Sequence, residues 1–344
     1  MKAAALTGIR QMGMIEVPEP KIIKDNDVLL KVGMVGICGS DVHYYETGEI
    51  GTEVVEYPFV IGHECAATVK AVGRGVSSVK VGDRVAVEPA IYCHECDQCR
   101  MGRENTCRNL RFLGCPGQVS GALCEYIVMP EECCLGIARN VTFAQAVLCE
   151  PLAIAVYAVR QAHLNEGCVV GILGAGPIGL SCLVSALAEG ARACYVTDKV
   201  KERVEIAREN GAAWAGNPVD EDVVSNILGQ EAGGLDAVFE CAGQQETVDH
   251  AIELLKPGGR LMMIGIPRIE RISFIIEQAR RREISFINVR RQNECARAAI
   301  DSVASGKIDV DFMATHTFRL EQAREAFDMV AGYRDGVVKA LIEL

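Results

Sequence analysis

The spacing of apolar and polar positions divides the chain into stretches of different period. Over residues 1–90, β-branched runs at 28–35, 66–72 and 84–87 are separated by Pro, Gly and Asp turns such as Val81-Gly82-Asp83, which predicts an all-β start. From Tyr92 to about Gly121 no period survives. Cysteines and charges dominate a loop that is long for a compact domain unless something ties it down. A strand at 124–129 follows, then a helically spaced segment at 143–162 interrupted by Pro151.

From 169 the pattern alternates between strand and helix. Strands are predicted at 169–173, 193–197, 235–240 and 260–265. Helices are predicted after 177 and over 201–210, 220–230 and 247–256. Strands alternating with ten-residue helices imply right-handed crossovers and a parallel sheet. Segments 295–305 and 320–330 read as helical and 337–342 as a closing strand. The fold class expected is α/β, with a doubly wound nucleotide domain at 153–287 inserted into a catalytic domain built from 1–152 and 288–344.

The chain is organised around residues 168–198. A five-residue apolar strand runs into Gly174-Ala175-Gly176-Pro177-Ile178-Gly179, and Leu180, Leu183, Val184 and Leu187 then recur at helical spacing. Gly174 permits a tight turn, Gly176 leaves bare backbone beside a pyrophosphate, and Gly179 lets helix and strand pack closely. The helix N-terminus offers unpaired N–H groups to phosphates. The next strand ends on Asp198, at the interval expected for a carboxylate that grips a ribose 2′-hydroxyl. An acidic group there repels a 2′-phosphate, so the cofactor expected is NAD rather than NADP.

Composition narrows the partners. The 344 residues suffice for two cores, and a net charge of −11 opposes nucleic acid or an anionic membrane surface as the main partner. The first residues carry too short an apolar run for a secretory signal, and nowhere do eighteen apolar residues follow one another. A cytoplasmic protein is expected, with its sixteen cysteines reduced and serving metal or core.

Two groups of residues suit metal. Cys93, Cys96, Cys99 and Cys107 form C-x2-C-x2-C-x7-C inside the irregular loop. Four thiolates can close tetrahedrally around Zn²⁺ and leave no open position, so that ion would be structural. A second set is dispersed: Cys38, His63-Glu64 and Glu150. Three such ligands plus water make a catalytic zinc site. Taken singly, His63 also fits a satisfied core histidine, and Cys38 a small buried apolar residue.

The motifs GICGSDVHYYETGEIG at 36–51, GHE at 62–64, VGDRVAVEP at 81–89, the four-cysteine loop, CEPLA at 149–153, GAGPIG at 174–179 and ATHTF at 314–318 resemble the zinc-dependent medium-chain dehydrogenases. Within that family the likeness is to sorbitol (L-iditol) and xylitol dehydrogenases, and it covers essentially the whole chain. It implies a GroES-like β-barrel catalytic domain, an inserted Rossmann domain, and two zinc ions per chain with NAD in the cleft between the domains. It also implies assembly as a homodimer or homotetramer.

Carried over by position, the resemblance makes Cys38, His63 and Glu64 catalytic zinc ligands. Glu150 would bind the ion directly or through water, and Asp41 would orient the histidine. Ser40 and His43 would relay the substrate proton. Tyr44, Phe112 and Arg290 would line the substrate pocket. Gly174, Gly176, Pro177, Ile178, Gly179, Asp198 and Arg203 would hold NAD. All four structural cysteines are kept, unlike in mammalian sorbitol dehydrogenases. Arg291 stands where a tyrosine often follows the pocket arginine, which would favour a carboxylated or phosphorylated polyol.

The activity expected is oxidation of a polyol secondary hydroxyl to a ketose. Within the family the alternatives are L-threonine, 2,3-butanediol, a sugar acid or a polyol phosphate as substrate. Outside catalysis, a zinc-stabilised NAD-sensing regulator gives no reason to keep Cys38, His63, Glu64 and Glu150 together. A four-cysteine zinc module binding nucleic acid conflicts with the acidic charge.

Overall fold

Ten residues, Asp27–Gly36, form the middle strand of the first sheet, with Val28, Leu30, Val32 and Val35 fully buried. The strand pairs antiparallel with Glu64–Val72 along one edge. Along the other edge, Tyr126–Pro130 takes its first half and Lys339–Glu343 its second. The computed structural model describes all 344 residues. It divides by contacts into two units: Met1–Glu150 with Ala299–Gly306 and Val310–Leu344, and Pro151–Ala298 with Lys307–Asp309. The second unit therefore runs on past 287, where the sequence placed its end.

In the first unit the sheet continues from Glu64–Val72 to Arg84–Val87 and Cys134–Gly136. On the far side Lys339–Glu343 lies parallel to Ala314–Arg319. Its core gathers the inward residues of these strands with Tyr45, Leu123, Met129 and Phe327. The strand order matters for function because register carries loop ends to one place. Gly36 pairs with Glu64 and with Leu341, so the end of one strand, the start of a second and the middle of a third meet there.

The second unit is a six-stranded parallel sheet. Its order is Trp214–Gly216, Ala193–Thr197, Val169–Leu173, Leu235–Glu240, Leu255–Met263, Ser285–Asn288. Every residue of Val169–Leu173 and Ala193–Thr197 is buried, as a parallel sheet covered on both faces requires. The chain builds outward to one side of Val169–Leu173, then crosses to the other, which puts the topological switch point beside that strand's C-terminal end.

Several elements depart from the expected pattern. A helix, Gly39–Thr47, follows Cys38 where only strands and turns were expected. The helix expected from 220 starts at Val223, because the side chain of Asp222 accepts the Ser225 N–H at 3.0 Å and caps it there. The loop from 92 holds one helical turn, Asp97–Arg100, and a short pairing of Arg111–Phe112 with Ala90–Ile91. The helix Phe143–Ala162 is long and apolar enough by composition to cross a membrane, yet it contains Pro151 and 56% of its apolar window is buried inside the protein.

Candidate active site

The dispersed ligands come together because of strand register. Cys38 lies two residues beyond the middle strand, at the N-cap of Gly39–Thr47, and His63 immediately precedes Glu64–Val72. The donor atoms of Cys38, His63 and Glu64 all lie within 4.8 Å of one another. Gly36 makes this approach possible, since a Cβ there would stand 2.2 Å from Glu64 Oε2.

Each of the three is oriented by neighbours. Asp41, buried on the first turn of the helix, accepts the Cys38 N–H on Oδ2 at 3.0 Å. Its Oδ1 faces His63 Nδ1 at 3.3 Å, a charge contact that leaves this oxygen without a hydrogen-bond donor. The ring of Phe112 tilts against His63 at 5.2 Å between centroids. Glu64 is held by Lys339, whose Nζ lies 2.6 Å from both carboxylate oxygens and 3.0 Å from the carbonyl of Ile37.

Glu150 stands apart from the close trio. It is half-buried, but its Oε2 is shut off from solvent and has no hydrogen-bond partner. Burial pushes its carboxyl up to about 7, against the pull of His63. The neighbouring Cys149 thiol donates to the carbonyl of Gln145 at 3.2 Å, an ordinary bond within the helix.

The acidic groups of this cluster hold protons on its two bases. Burial opposes an imidazolium at His63, yet Asp41 and Cys38 outweigh burial and hold it well above its ordinary value. Burial likewise opposes the charge on Lys339, and Glu64 and Cys38 hold that ammonium above its ordinary value. With two enclosed carboxylate oxygens lacking donors, a divalent cation is the group that fits this donor set.

The four-cysteine loop fits a second ion. Sulfur separations are 3.4 Å for Cys93 and Cys107, 3.6 Å for Cys96 and Cys99, and 4.0 Å for Cys93 to Cys99 and Cys96 to Cys107. A tetrahedron with Zn–S bonds of about 2.3 Å has edges of about 3.8 Å. Amides of Arg108 and Cys99 lower Cys96 to about 6, whereas burial pushes Cys99 up to about 12. Arg108 closes the lobe on Asp97 with two bonds of 2.5 and 2.7 Å.

Of the expected proton and substrate residues in the first unit, Ser40 and His43 lie one turn apart on Gly39–Thr47 and share a face of that helix. Tyr44 is buried, with its hydroxyl 3.7 Å from Cys115 Sγ. Burial first, then the thiol, raise its phenol above the ordinary value. Arg290 is exposed in the second unit, just after Ser285–Asn288, and Arg291 takes a left-handed backbone with φ 52°. Sequence reasoning missed Lys339 and Cys115. The signal for the first was a lone lysine within the apolar run Val337-Val338-Lys339-Ala340-Leu341.

In the second unit the glycine turn follows Val169–Leu173, and Pro177 opens the helix Pro177–Ala188 at its first position. Gly179 is required: a Cβ there would overlap the Gly174 carbonyl oxygen at 1.7 Å. At Gly176 a Cβ would meet only Arg203 Nη1, at 3.7 Å, so the turn leaves open space before the helix N-terminus. Asp198 accepts the Ala175 N–H at 2.7 Å on one oxygen and the Val200 N–H at 2.8 Å on the other. A bent loop with exposed amides, a cleared backbone and a terminal carboxylate fits a dinucleotide.

Known proteins resemble the chain over both units. Residues 24–139 match the model of the alcohol dehydrogenase GroES-like domain, and residues 177–305 that of the zinc-binding dehydrogenase. The chain is 35% identical to sorbitol dehydrogenase of Bacillus subtilis over 343 residues, covering 99% of this chain and 97% of that protein. It is 36% identical to D-xylulose reductase A of Aspergillus oryzae over 334 residues, 94% of this chain and 92% of that one. Among solved structures, the NADP-bound structure of a protein described as a zinc-binding dehydrogenase from Sinorhizobium meliloti superposes with a TM-score of 0.92. Its identity is 31%, over 100% of this chain and 99% of that one.

Proposed function

This chain belongs to the zinc-dependent medium-chain dehydrogenases, close to the sorbitol and xylitol dehydrogenases, and from that membership we infer that it oxidises a secondary hydroxyl of a polyol to the ketose with NAD. It is an alcohol or polyol dehydrogenase that uses zinc and a nicotinamide cofactor. The finer reading is a substrate of the sorbitol, L-iditol or xylitol type, NAD rather than NADP, and two zinc ions per chain. The observation that carries it is the cluster of Cys38, His63 and Glu64 beside the unpartnered Glu150 oxygen, in a chain whose second unit places Asp198 directly after the strand Ala193–Thr197.

Cys38, His63 and Glu64, with Glu150, would hold the catalytic ion, and Cys93, Cys96, Cys99 and Cys107 the structural one. When bound, zinc supplies Lewis acidity toward the substrate hydroxyl and the nicotinamide supplies a hydride acceptor. Asp41 fixes which ring nitrogen of His63 is turned from it. Ser40 Oγ would take the substrate's hydroxyl proton while giving its own to His43, which would pass a proton on to solvent, an arrangement that suits residues one helical turn apart. Tyr44 and Phe112, both buried, would shape the substrate pocket. Asp198 would accept from the ribose 2′-hydroxyl of NAD and repel a 2′-phosphate.

Self-association as a homodimer or homotetramer belongs to the same reading. Ser285–Asn288 is a sheet edge open to a second copy, and Ile275 and Ile276 beside it are 63% and 65% exposed. Light scattering behind a sizing column tests this.

The test of function is NADH absorbance on mixing purified protein and NAD with xylitol, sorbitol, L-threonine, 2,3-butanediol or a sugar acid, each repeated with NADP and after chelation. Chelator-sensitive turnover confined to the polyols and to NAD is expected. Turnover of L-threonine or butanediol alone overturns the substrate class.

A further inference from the structure

The strand Leu235–Glu240 ends on a carboxylate that the catalytic reading does not use. Glu240 is completely buried, and no lysine, arginine or histidine pairs with it. A buried carboxyl group is tolerated where hydrogen bonds compensate it, and here they fall on one oxygen, since Oε2 has no partner. Three donors converge on its Oε1: the N–H of Ala242 at 2.9 Å, the N–H of Gly243 at 2.7 Å and the hydroxyl of Thr247 at 2.7 Å. Its main-chain carbonyl accepts from Ile264 at 3.0 Å and Gly265 at 2.9 Å. One residue thus ties down the turn at 241–243, the start of the helix Gln245–Leu254 and the end of Leu255–Met263.

That turn is the wall on which the dinucleotide loop leans. Cys241 N–H donates to the carbonyl of Leu173 at 2.9 Å, at the last residue before the glycine turn. Gly174, at φ 104°, approaches so closely that a Cβ would lie 3.1 Å from the Ala242 nitrogen and 3.2 Å from its Cβ. The other side is as tight: a Cβ on Gly265 would stand 2.2 Å from the Gly243 nitrogen and 2.8 Å from Glu240 Oε2. In the strand order, Glu240 pairs with Leu173 across the switch point, whereas Asp198 follows the strand on the opposite side of Leu173. The crevice at a switch point is where an open parallel sheet binds its ligand.

We propose that Glu240 is a positioning residue for the dinucleotide: by gathering the 241–243 turn and Thr247 on one oxygen, it fixes the wall of the glycine loop on the side away from Asp198. The consequence is selective. Ligands that reach past the glycine loop depend on Glu240, and ligands held only at the Asp198 end do not. This inference rests on the reading of that loop as a dinucleotide site.

The experiment compares wild type, Glu240→Ala, Glu240→Gln and Thr247→Val in binding NADH by fluorescence, and ADP-ribose and AMP by calorimetry. Glu240→Ala is expected to weaken NADH and ADP-ribose about tenfold or more, because buried donors lose their acceptor, while AMP changes less than about twofold. Glu240→Gln keeps an oxygen for the three donors and restores most of the affinity. Thr247→Val removes one donor, with a smaller loss of the same pattern, and it serves if the alanine variant does not fold. ADP-ribose bound equally by wild type and all variants overturns the inference, as does an equal loss for AMP. Wild type that binds no NADH overturns the dinucleotide reading itself and this inference with it.

Discussion

Lys339 Nζ sits 2.6 Å from both oxygens of Glu64 in a site where each residue is 1% exposed. Two strands, on opposite edges of Asp27–Gly36, deliver the pair. The ammonium neutralises a carboxylate that the interior would not otherwise tolerate, and its third contact, to the Ile37 carbonyl, ties the segment leading to Cys38 into the same arrangement.

In the metal-free protein, Lys339→Met therefore leaves Glu64 as an uncompensated buried charge. The expected cost is about 3–5 kcal/mol, seen as a lower denaturation midpoint. The double variant Lys339→Met with Glu64→Gln recovers much of that loss, because no charge is stranded. A single variant as stable as wild type, measured by calorimetry, would show that Glu64 finds its compensation elsewhere.

Zinc counting separates the two sites. Metal analysis of the purified protein is expected to give two ions per chain, and one in either Cys38→Ser or Cys96→Ser. The first variant keeps its thermal stability and its NADH binding, while the second melts earlier because the 93–107 lobe has little core of its own to hold it. Two ions retained in either variant removes that cysteine from the ligand set.

These contrasts follow how much of the molecule was readable in the chain. The cysteine quartet and the glycine turn lie in single short stretches, so local spacing revealed them, and Asp198 came with the turn as the end of the next strand. The pairing of Lys339 with Glu64 spans 275 positions and depends on register across three strands, which no local pattern encodes. The helix Gly39–Thr47 escaped because it buries Asp41 and two tyrosines instead of an aliphatic stripe. The edge strand Ser285–Asn288 escaped because its exposed and half-buried residues lack the apolar run of the central strands. Glu240 ended a predicted strand, but its role depends on donors from a turn, a helix and a neighbouring strand.

Asp198 has two tasks, and its removal should show both. Its oxygens hold Ala175 and Val200, so they shape the glycine turn as well as facing a ribose. Asp198→Ala is expected to weaken NADH by about tenfold or more, as two backbone donors and a ribose hydroxyl lose their acceptor. NADPH, freed from the repelling carboxylate, loses less or gains. Fluorescence titration with both cofactors checks this, and parallel losses for the two would deny Asp198 any part in selecting between them.

Acid stability should depend on Asp236, four residues before Glu240 on the same strand. Its Oδ2 accepts the Val169 N–H at 2.8 Å and its Oδ1 meets Lys256 Nζ. Burial works against the carboxylate's charge, but Lys256 and the Val169 amide outweigh it and hold Asp236 below the usual range. A folded pKa below the unfolded one means that the carboxylate's contribution is fully present above about pH 4 and is lost as pH falls through the lower, folded value. Asp236→Asn keeps the shape and an acceptor for Val169 but loses the charge, so it should be less stable than wild type by about 1 kcal/mol at pH 7. The gap should hold down to about pH 4 and close below it. Melting curves of both proteins from pH 7 to pH 3 measure the gap, and one that widened toward acid would mean the sign of the Asp236 shift is wrong.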